Sequence, residues 1–462
     1  MKAQPSRLMT PPLDPAFEPV VLFNRRSVET ARQSGHAVPL VIAVEREGGA
    51  VSRHETVVKR EADPETLRYA ERIVKFLLWA QGGWKVCVGG PAAVGQYVAR
   101  CYAPDGERRF DVELMSRVYE RPFEVAVMDS EAVPAARDNA AALGGHLDGC
   151  RIGFDLGASD YKVAAVRDGE VVYSEEFPWQ PREQPDPEYH YTHLTAGLKK
   201  AAAHLPRVEA IGGSSAGVIV DNKIMVASLF RAVPLAEFHR ARNLFLRIRD
   251  EWNVPLAVAN DGDVTALAGS MSLQTAGLLG LAMGSSQAAG YLDPRGRMTG
   301  ALSELAFAPV DCNPAAPADE WSGDRGVGVM YFSQQAVTRL LPAAGIALPE
   351  RLGLPERLEA VQGLMAKDDP RASRIYETLG VYLGYTIPYY AAFYAFDHVL
   401  ILGRVTTGPG GEILLRRARE VLERLFPEEA AKIRLHVPDE KSRRVGQAVA
   451  AASLPRIRDG AR

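Results

Sequence analysis

Cysteine is scarce. The four in 462 residues, Cys87, Cys101, Cys150 and Cys312, form no CxxC pair and no short-spaced cluster. That argues against a cysteine zinc site and gives no disulfide framework, so a reducing cytoplasm is the expected setting. An excess of one charge is also missing: 54 basic against 57 acidic residues give a formal charge of -3. No overall field recruits nucleic acid or anionic lipid, and a neutral small-molecule partner is easier to accommodate. The N-terminus, MKAQPSRLMTPPLDPAFEP, has prolines where a signal peptide needs an apolar core, and residues 1–18 read as a loose tail. Long apolar runs are few. One stretch between Glu377 and Asp397, TLGVYLGYTIPYYAAFYAF, carries no charge over 19 residues, enough for a span of about 18. Five tyrosines and Pro388 lie within it and the strand-like HVLILG follows, which marks a helix buried in protein rather than in a membrane.

What is present is a 47% apolar, 24% charged chain, long enough for roughly three globular units at about 150 residues each. From 151 onward it alternates: strands IGFDLG, YKVAAVRDG and EVVYSEEF, a helix HLTAGLKKAAAHL, then VEAIGGSSAGVIV, a helix through ARNLFLRIRDEW and the strand PLAVAND. A second block follows: the hairpin LLGLAMGSS/AAGYLDPRGRMTG, an irregular segment near 308–326, long helices, HVLILGRVTTGPGG, RLHVP and a last helix RRVGQAVAAASL. This order implies an α/β chain with mixed sheets. Residues 20–142 repeat the pattern of the first block, from VVLFN through DPETLRYAERIVKFLL and VCVGGPAAVG to PFEVAVMDSEAV. In both copies 26 residues separate the DPE aspartate, Asp63 or Asp186, from a GG pair at Gly89 or Gly212, and Asp129 maps to Asp261. The shared order points to an internal duplication.

Five stretches can carry chemistry. In DLGASDYKV a strand ends in Asp155 beside a glycine turn with a small hydroxyl residue, an arrangement that faces backbone N–H groups to a phosphate; Asp155 can hold Mg²⁺ through water and Ser159 can reach a phosphate oxygen. An ordinary hairpin with a polar turn reads the same way. In VANDGDV an Asn-Asp pair leaves an apolar strand where side chains exit a sheet, the preferred place for ligands in α/β folds. Asp261 can take a proton from a sugar hydroxyl and Asn260 can bond a neighbouring hydroxyl, although Asn, Asp and Gly are also common in plain turns. LAMGSSQAAGYL offers a second phosphate-facing hairpin through Gly284, Ser285 and Ser286. HVLILGRVTTGPGG offers backbone with few side chains, against which an adenine can slide. Glu304 in TGALSELAF is a carboxylate beside a glycine loop, suited to sugar hydroxyls or simply solvated.

Taken in order over about residues 151–455, these motifs resemble the ROK family of sugar kinases and sugar-responsive proteins, within the actin, Hsp70 and hexokinase superfamily. The matching segments are IGFDLGASDYKVAAV, SSAGVIVDNKIMVAS, VANDGDVTALAG, LAMGSSQAAGYLDPRGRMTGALSELAF and HVLILGR. The resemblance implies two RNase H-like lobes of the actin-like ATPase type around a cleft: lobe I over 150–270, completed by a helix at 443–455, and lobe II over 271–442. A degenerate RNase H-like lobe over 19–148 precedes them. It implies an ATP-dependent sugar kinase with Asp261 as base, Asn260 and Glu304 on the sugar, Asp155 on the Mg²⁺ side, and Gly157, Ser159, Gly284, Ser285, Ser286, Gly403 and Arg404 around the nucleotide. The partner is a sugar, not nucleic acid or a membrane, and a homo-oligomer is compatible with the reading.

The departures from the family pattern are specific. Phe307 stands where a histidine is usual, and Glu320, Ser322 and Val327 fall on the cysteines of a zinc loop, so no structural zinc is expected. Val329 takes the place of a second sugar glutamate, Ala158 and Arg404 replace glycines, and Asp160 adds negative charge near the phosphates. In the N-terminal copy Asn24 falls where Asp155 does and Met128 where Asn260 does, so that copy reads as a packing or regulatory module. A DNA-binding N-terminus, known in the repressor branch, is disfavoured by a strand-rich segment with charges of both signs. The alternative to a kinase is a weak or inactive sugar- or nucleotide-binding protein on the same scaffold.

Overall fold

A computed structural model of the chain describes residues 8–138, 143–437 and 440–457, without the side chains of 440–445. The chain divides into two units: Met1–Asn139, Leu281–Ala289 and Gly300–Val437 form unit 1, and Ala140–Gly280, Gly290–Thr299 and Pro438–Arg462 form unit 2.

Unit 1 begins with α1 (Val20–Gln33), β1 (Ala37–Glu45), β2 (Val51–Lys59), α2 (Pro64–Gln81), β3 (Lys85–Gly89), α3 (Ala92–Cys101), α4 (Arg109–Tyr119) and β4 (Glu124–Met128). The sheet order is β2-β1-β3-β4, with β1 antiparallel to both neighbours and β3 parallel to β4. VVLFN, expected as a strand, opens α1 instead. Val20, Val21, Phe23, Ser27 and Ala31 bury one face at helical spacing, which a five-residue apolar window cannot tell from a strand. Asn24 is therefore helical and is no counterpart of Asp155. A second correction concerns the tail. Residues 1–7 lie outside the described residues, but Met9, Leu13 and Phe17 are buried, the Met9 and Leu13 N–H groups donate to Tyr385 Oη and Thr378 Oγ1, and the Phe17 ring packs 4.6 Å from Tyr382. Apolar residues among the prolines secure this stretch.

The chain continues through β5 (Cys150–Leu156), β6 (Asp160–Arg167), β7 (Glu170–Pro178), α5 (Pro187–Ala202), β8 (Ala210–Ser215), β9 (Val218–Val220), β10 (Lys223–Val226), α6 (Phe238–Arg242), α7 (Leu244–Trp252), β11 (Leu256–Asn260) and α8 (Asp261–Leu273). The hairpin β12 (Leu278–Met283) and β13 (Gln287–Leu292) leads to α9 (Gln334–Leu340), α10 (Leu354–Met365), α11 (Pro370–Ala391), β14 (His398–Leu402), α12 (Pro409–Leu425), α13 (Pro427–Lys432), β15 (Arg434–His436) and α14 (Glu440–Ala452). α11 holds the uncharged stretch and Pro388. Among the described residues no helix is long and apolar enough to cross a membrane.

Unit 2 is built on the sheet β11-β8-β5-β6-β7. β5, β6 and β7 form an antiparallel meander, and β8 and β11 add in parallel. α14 packs on this sheet at backbone distance: a Cβ at Gly153 would lie 1.9 Å from Ala448 O and one at Gly212 1.7 Å from Ala451 O. Only glycine permits that approach. Leaving β5 out of this order gives β7-β6-β8-β11, in which β6 runs antiparallel to β8. The N-terminal sheet β2-β1-β3-β4 has those directions. Among the described residues no strand of this sheet stands in the place of β5.

Candidate functional site

In unit 2 the ends of β5 and β11 and the start of α8 gather the acidic residues. Asp155 sits opposite Ser214 in the β5–β8 register, and the Ser214 hydroxyl donates to Asp155 Oδ1 at 2.6 Å. Burial raises the Asp155 pKa against this hydrogen bond and the nearby Lys162. The turn that follows is pinned from β7: the indole N–H of Trp179 donates to Gly157 O at 2.8 Å, and its backbone N–H donates to Ser159 O at 3.1 Å. The Ser159 hydroxyl donates to Asp160 Oδ2 at 2.9 Å, and Lys162 Nζ lies 3.6 Å from Asp160 Oδ1. The charge that Asp160 adds near the phosphate turn is thus offset by a lysine.

Asn260 ends β11 and caps α8. Its Oδ1 accepts from Gly262 N at 2.7 Å and its Nδ2 donates to Gly217 O at 2.8 Å, so the amide fixes the exit of the chain and the loop at 217. Asp261 is the first residue of α8. Burial first, and the negative charge of Asp155 second, push its carboxyl up to about 6 against two backbone hydrogen bonds. Asp263 is pushed up to about 7 by burial, with Asp261 adding to it, although it accepts from Tyr291 N at 3.3 Å. Sequence reasoning missed Asp263, two residues on in the same motif, because an acid in the first turn of a helix needs no function to explain it. It also missed Ser214, which only the β5–β8 pairing brings to Asp155.

Three carboxyls raised by burial, with Asp155 adding to the shift of Asp261 and Asp261 to that of Asp263, would suit a divalent cation bound with phosphates. They do not close a direct coordination shell: among the described residues no group of three or more His, Cys, Asp or Glu can hold a metal ion. Asp155 could hold Mg²⁺ only through water, with phosphate oxygens supplying the remaining ligands.

Unit 1 holds the other candidates. In the β12–β13 turn, Gly284 N donates to Ser286 O, and Gly284 O accepts from Gln334 N at the start of α9, both at 2.9 Å; Ser285 and Ser286 are exposed. β14 passes so close that a Cβ at Gly403, φ +103°, would lie 2.4 Å from Met283 O. The 403–404 turn is therefore beside the 284–286 turn, with the Arg404 side chain exposed and its carbonyl held by Gln362 Nε2 at 2.8 Å. Glu304 is half-buried and lies on a separate segment, whose backbone N–H groups at Leu302, Ser303 and Glu304 donate to Gln81, Ala80 and Trp79 O at 3.0–3.1 Å. Of the residues aligned with the zinc-loop positions, Phe307 packs 4.5 Å from Trp79, Ser322 Oγ donates to Asp319 at 2.8 Å and Val327 is buried, as is Val329, aligned with the second sugar glutamate.

No protein-family model matches the sequence, and no curated protein does. Solved structures do match in three dimensions. A ROK hexokinase from Thermus thermophilus aligns with TM-score 0.51 and 18% identity over 65% of this chain and 97% of its own. A ROK family transcriptional regulator, a homologue of the E. coli MLC protein, aligns with TM-score 0.52 and 18% identity over 84% of this chain and 96% of its own. A Listeria monocytogenes protein provisionally described as an N-acetylmannosamine kinase aligns with TM-score 0.50 and 14% identity over 66% and 97%. The fold is that of these ROK kinase and regulator structures.

Proposed function

We propose that the chain transfers the γ-phosphoryl group of ATP to a sugar hydroxyl, with Asp261 as the base. The observation that carries this reading is Asp261 itself, placed at the end of β11 with a pKa pushed up to about 6, near neutral pH where a general base works best. Its carboxylate takes the hydroxyl proton, the sugar oxygen bonds to the γ-phosphorus, and the bond to the β,γ-bridging oxygen breaks to release ADP. Bound Mg²⁺ supplies positive charge against the phosphates. In this reading Glu304 and the remaining N–H of Asn260 hold sugar hydroxyls, the turns at Gly157–Ser159 and Gly284–Ser286 grip phosphates, and Gly403–Arg404 borders the adenine. The N-terminal sheet is a copy of the unit 2 sheet without its first strand, and therefore without a phosphate turn.

The second reading, a sugar- or nucleotide-responsive protein without turnover, draws support from the regulator, whose alignment reaches 84% of this chain against 65–66% for the two kinases. ATP consumption against a panel of hexoses, N-acetylhexosamines and their epimers separates the two. Turnover on one sugar, abolished in Asp261→Asn, is the expected result. Sugar binding with no turnover on any member of the panel overturns the kinase reading.

A further inference from the structure

We propose that the N-terminal domain is the mount of the Glu304 segment: the end and one flank of α2 hold residues 302–325 in the shape that presents Glu304. The inference rests on the reading of Glu304 as a sugar ligand. It makes Lys75, Asp324 and Phe307 positioning residues.

The segment is tied to α2 at three places. The first is the helix end, where Trp79, Ala80 and Gln81 carbonyls, which have no partner within the helix, accept the N–H groups of Glu304, Ser303 and Leu302. Ser303 is held in the left-handed region at φ +52°, and its buried Oγ has no hydrogen-bond partner among the described residues. A serine stays in that conformation only where its surroundings over-determine it, and such residues cluster at ligand sites. The second tie is aromatic. Phe307, three residues after Glu304, packs on Trp79 and, at 5.7 Å, on Phe110, while Trp321 closes on Phe307 and Phe110, both at 5.3 Å.

The third tie is electrostatic. Asp324 lies 2.8 Å from Arg108 Nη1, 3.0 Å from Lys75 Nζ and 3.7 Å from Arg72 Nη1. Lys75 also bonds Asp111 at 2.8 Å, and Glu71 takes both Arg72 and Arg108 at 2.6 Å. The six side chains are less than 10% exposed and balance three cations with three carboxylates. Asp324 is the member that the 302–325 segment contributes, and every other member comes from α2 or the start of α4. Without Asp324 the three buried cations share only Glu71 and Asp111 within the cluster, so its charge balance depends on the one carboxylate that the segment contributes.

The test uses the full-length protein with Asp324→Asn and Lys75→Met, read by hydrogen exchange of peptides covering 302–325 and by steady-state kinetics. Exchange of these peptides is expected to quicken at least tenfold, while KM for the sugar rises about tenfold and both kcat and KM for ATP change less than threefold. A loss of thermal stability with unaltered exchange over 302–325, or with an unaltered sugar KM, overturns the proposal. If Asp324→Asn does not fold, Phe307→Leu carries the same test with an expected threefold rise in sugar KM, and an unaltered KM overturns it equally. Should the parent protein turn over no sugar, the kinase reading fails separately. The exchange measurement still decides whether α2 mounts the segment.

Discussion

The N-terminal sheet and the sheet of unit 2 share an order and differ by one strand, and that strand is the one that carries Asp155 and the turn after it. The similarity has local physical causes. The DPE tripeptides start helices: Asp63 caps α2 through Thr66 N at 2.8 Å and Asp186 caps α5 through Glu188 N at 2.9 Å, each followed by a proline at the first helical position. The paired glycines admit close backbone approach. At Gly212 the intruder is α14; at Gly89 a Cβ would lie 2.4 Å from Val133 Cγ2 and 2.8 Å from Ser130 Cα. What differs is how each sheet is used. In unit 2, strand ends converge on carboxyls whose pKa values are raised, chiefly by burial. In unit 1 the charges of α2 and the start of α4 turn inward, neutralise one another and pair with Asp324.

The widest gap between the regions is expected at the two matching aspartates. Asp261→Asn should lower phosphoryl transfer by about 10²–10⁴-fold, whereas exposed Asp129→Asn should change the rate by less than about twofold, both measured as sugar-dependent ADP formation. Equal losses would erase the distinction. The kcat/KM profile adds a second reading. Asp261 must be ionised to accept a proton and its pKa is about 6, so the rate should level off above about pH 7 and fall about tenfold per unit below about pH 5. A carboxylate at the ordinary value of 3.8 would keep the rate flat to about pH 5.

Stability comes next in size. Asp324→Asn leaves buried cations short of one charge and should cost about 3–5 kcal/mol in denaturant unfolding. Gly212→Ala, which drives a methyl group into Ala451 O, should cost about 1–3 kcal/mol. The cap variants Asp63→Ala and Asp186→Ala should each cost about 1 kcal/mol, and a large inequality between them would show that the two DPE motifs are not equivalent.

Acid should act with opposite signs on the two regions. Asp261 and Asp263 are raised to about 6 and 7, so protonation as pH falls from 7.5 toward 5 relieves a penalty in unit 2. Burial opposes the ionised form of Glu71, but Arg72 and Arg108 outweigh it and hold the group at about 2. Lys75, Arg72 and Arg108 likewise hold Asp324 well below the usual carboxylate range. The stability that these two contribute is present above the ordinary carboxylate pKa and lost below about pH 4, with Asp111, raised by burial, working the other way. Hydrogen exchange resolved by unit at pH 7.5, 5.5 and 3.5 should show unit 2 gaining protection in the first step and unit 1 losing it in the second.

Much of the unit 2 site was legible because it is local. The motifs that end β5 and β11 name Asp155, Asn260 and Asp261, and strand ends followed by turns are readable at short range. The error at VVLFN has the same origin: five apolar residues fit a helix face as well as a strand, and burial of the face from Val20 to Ala31 decided for the helix. The tail was misread because prolines signal loops but do not prevent Met9, Leu13 and Phe17 from burying their side chains.

The sequence by itself determined the order of most elements and two of the three carboxylates in unit 2, Asp155 and Asp261, because each depends on residues a few positions apart. Only the tertiary structure decided what the N-terminal region packs against. The contacts that tie α2 to Glu304 and Asp324 join residues more than 200 positions apart. A salt bridge or a carbonyl at a helix end has no sequence signature until folding supplies its partner and removes the water that would otherwise satisfy it.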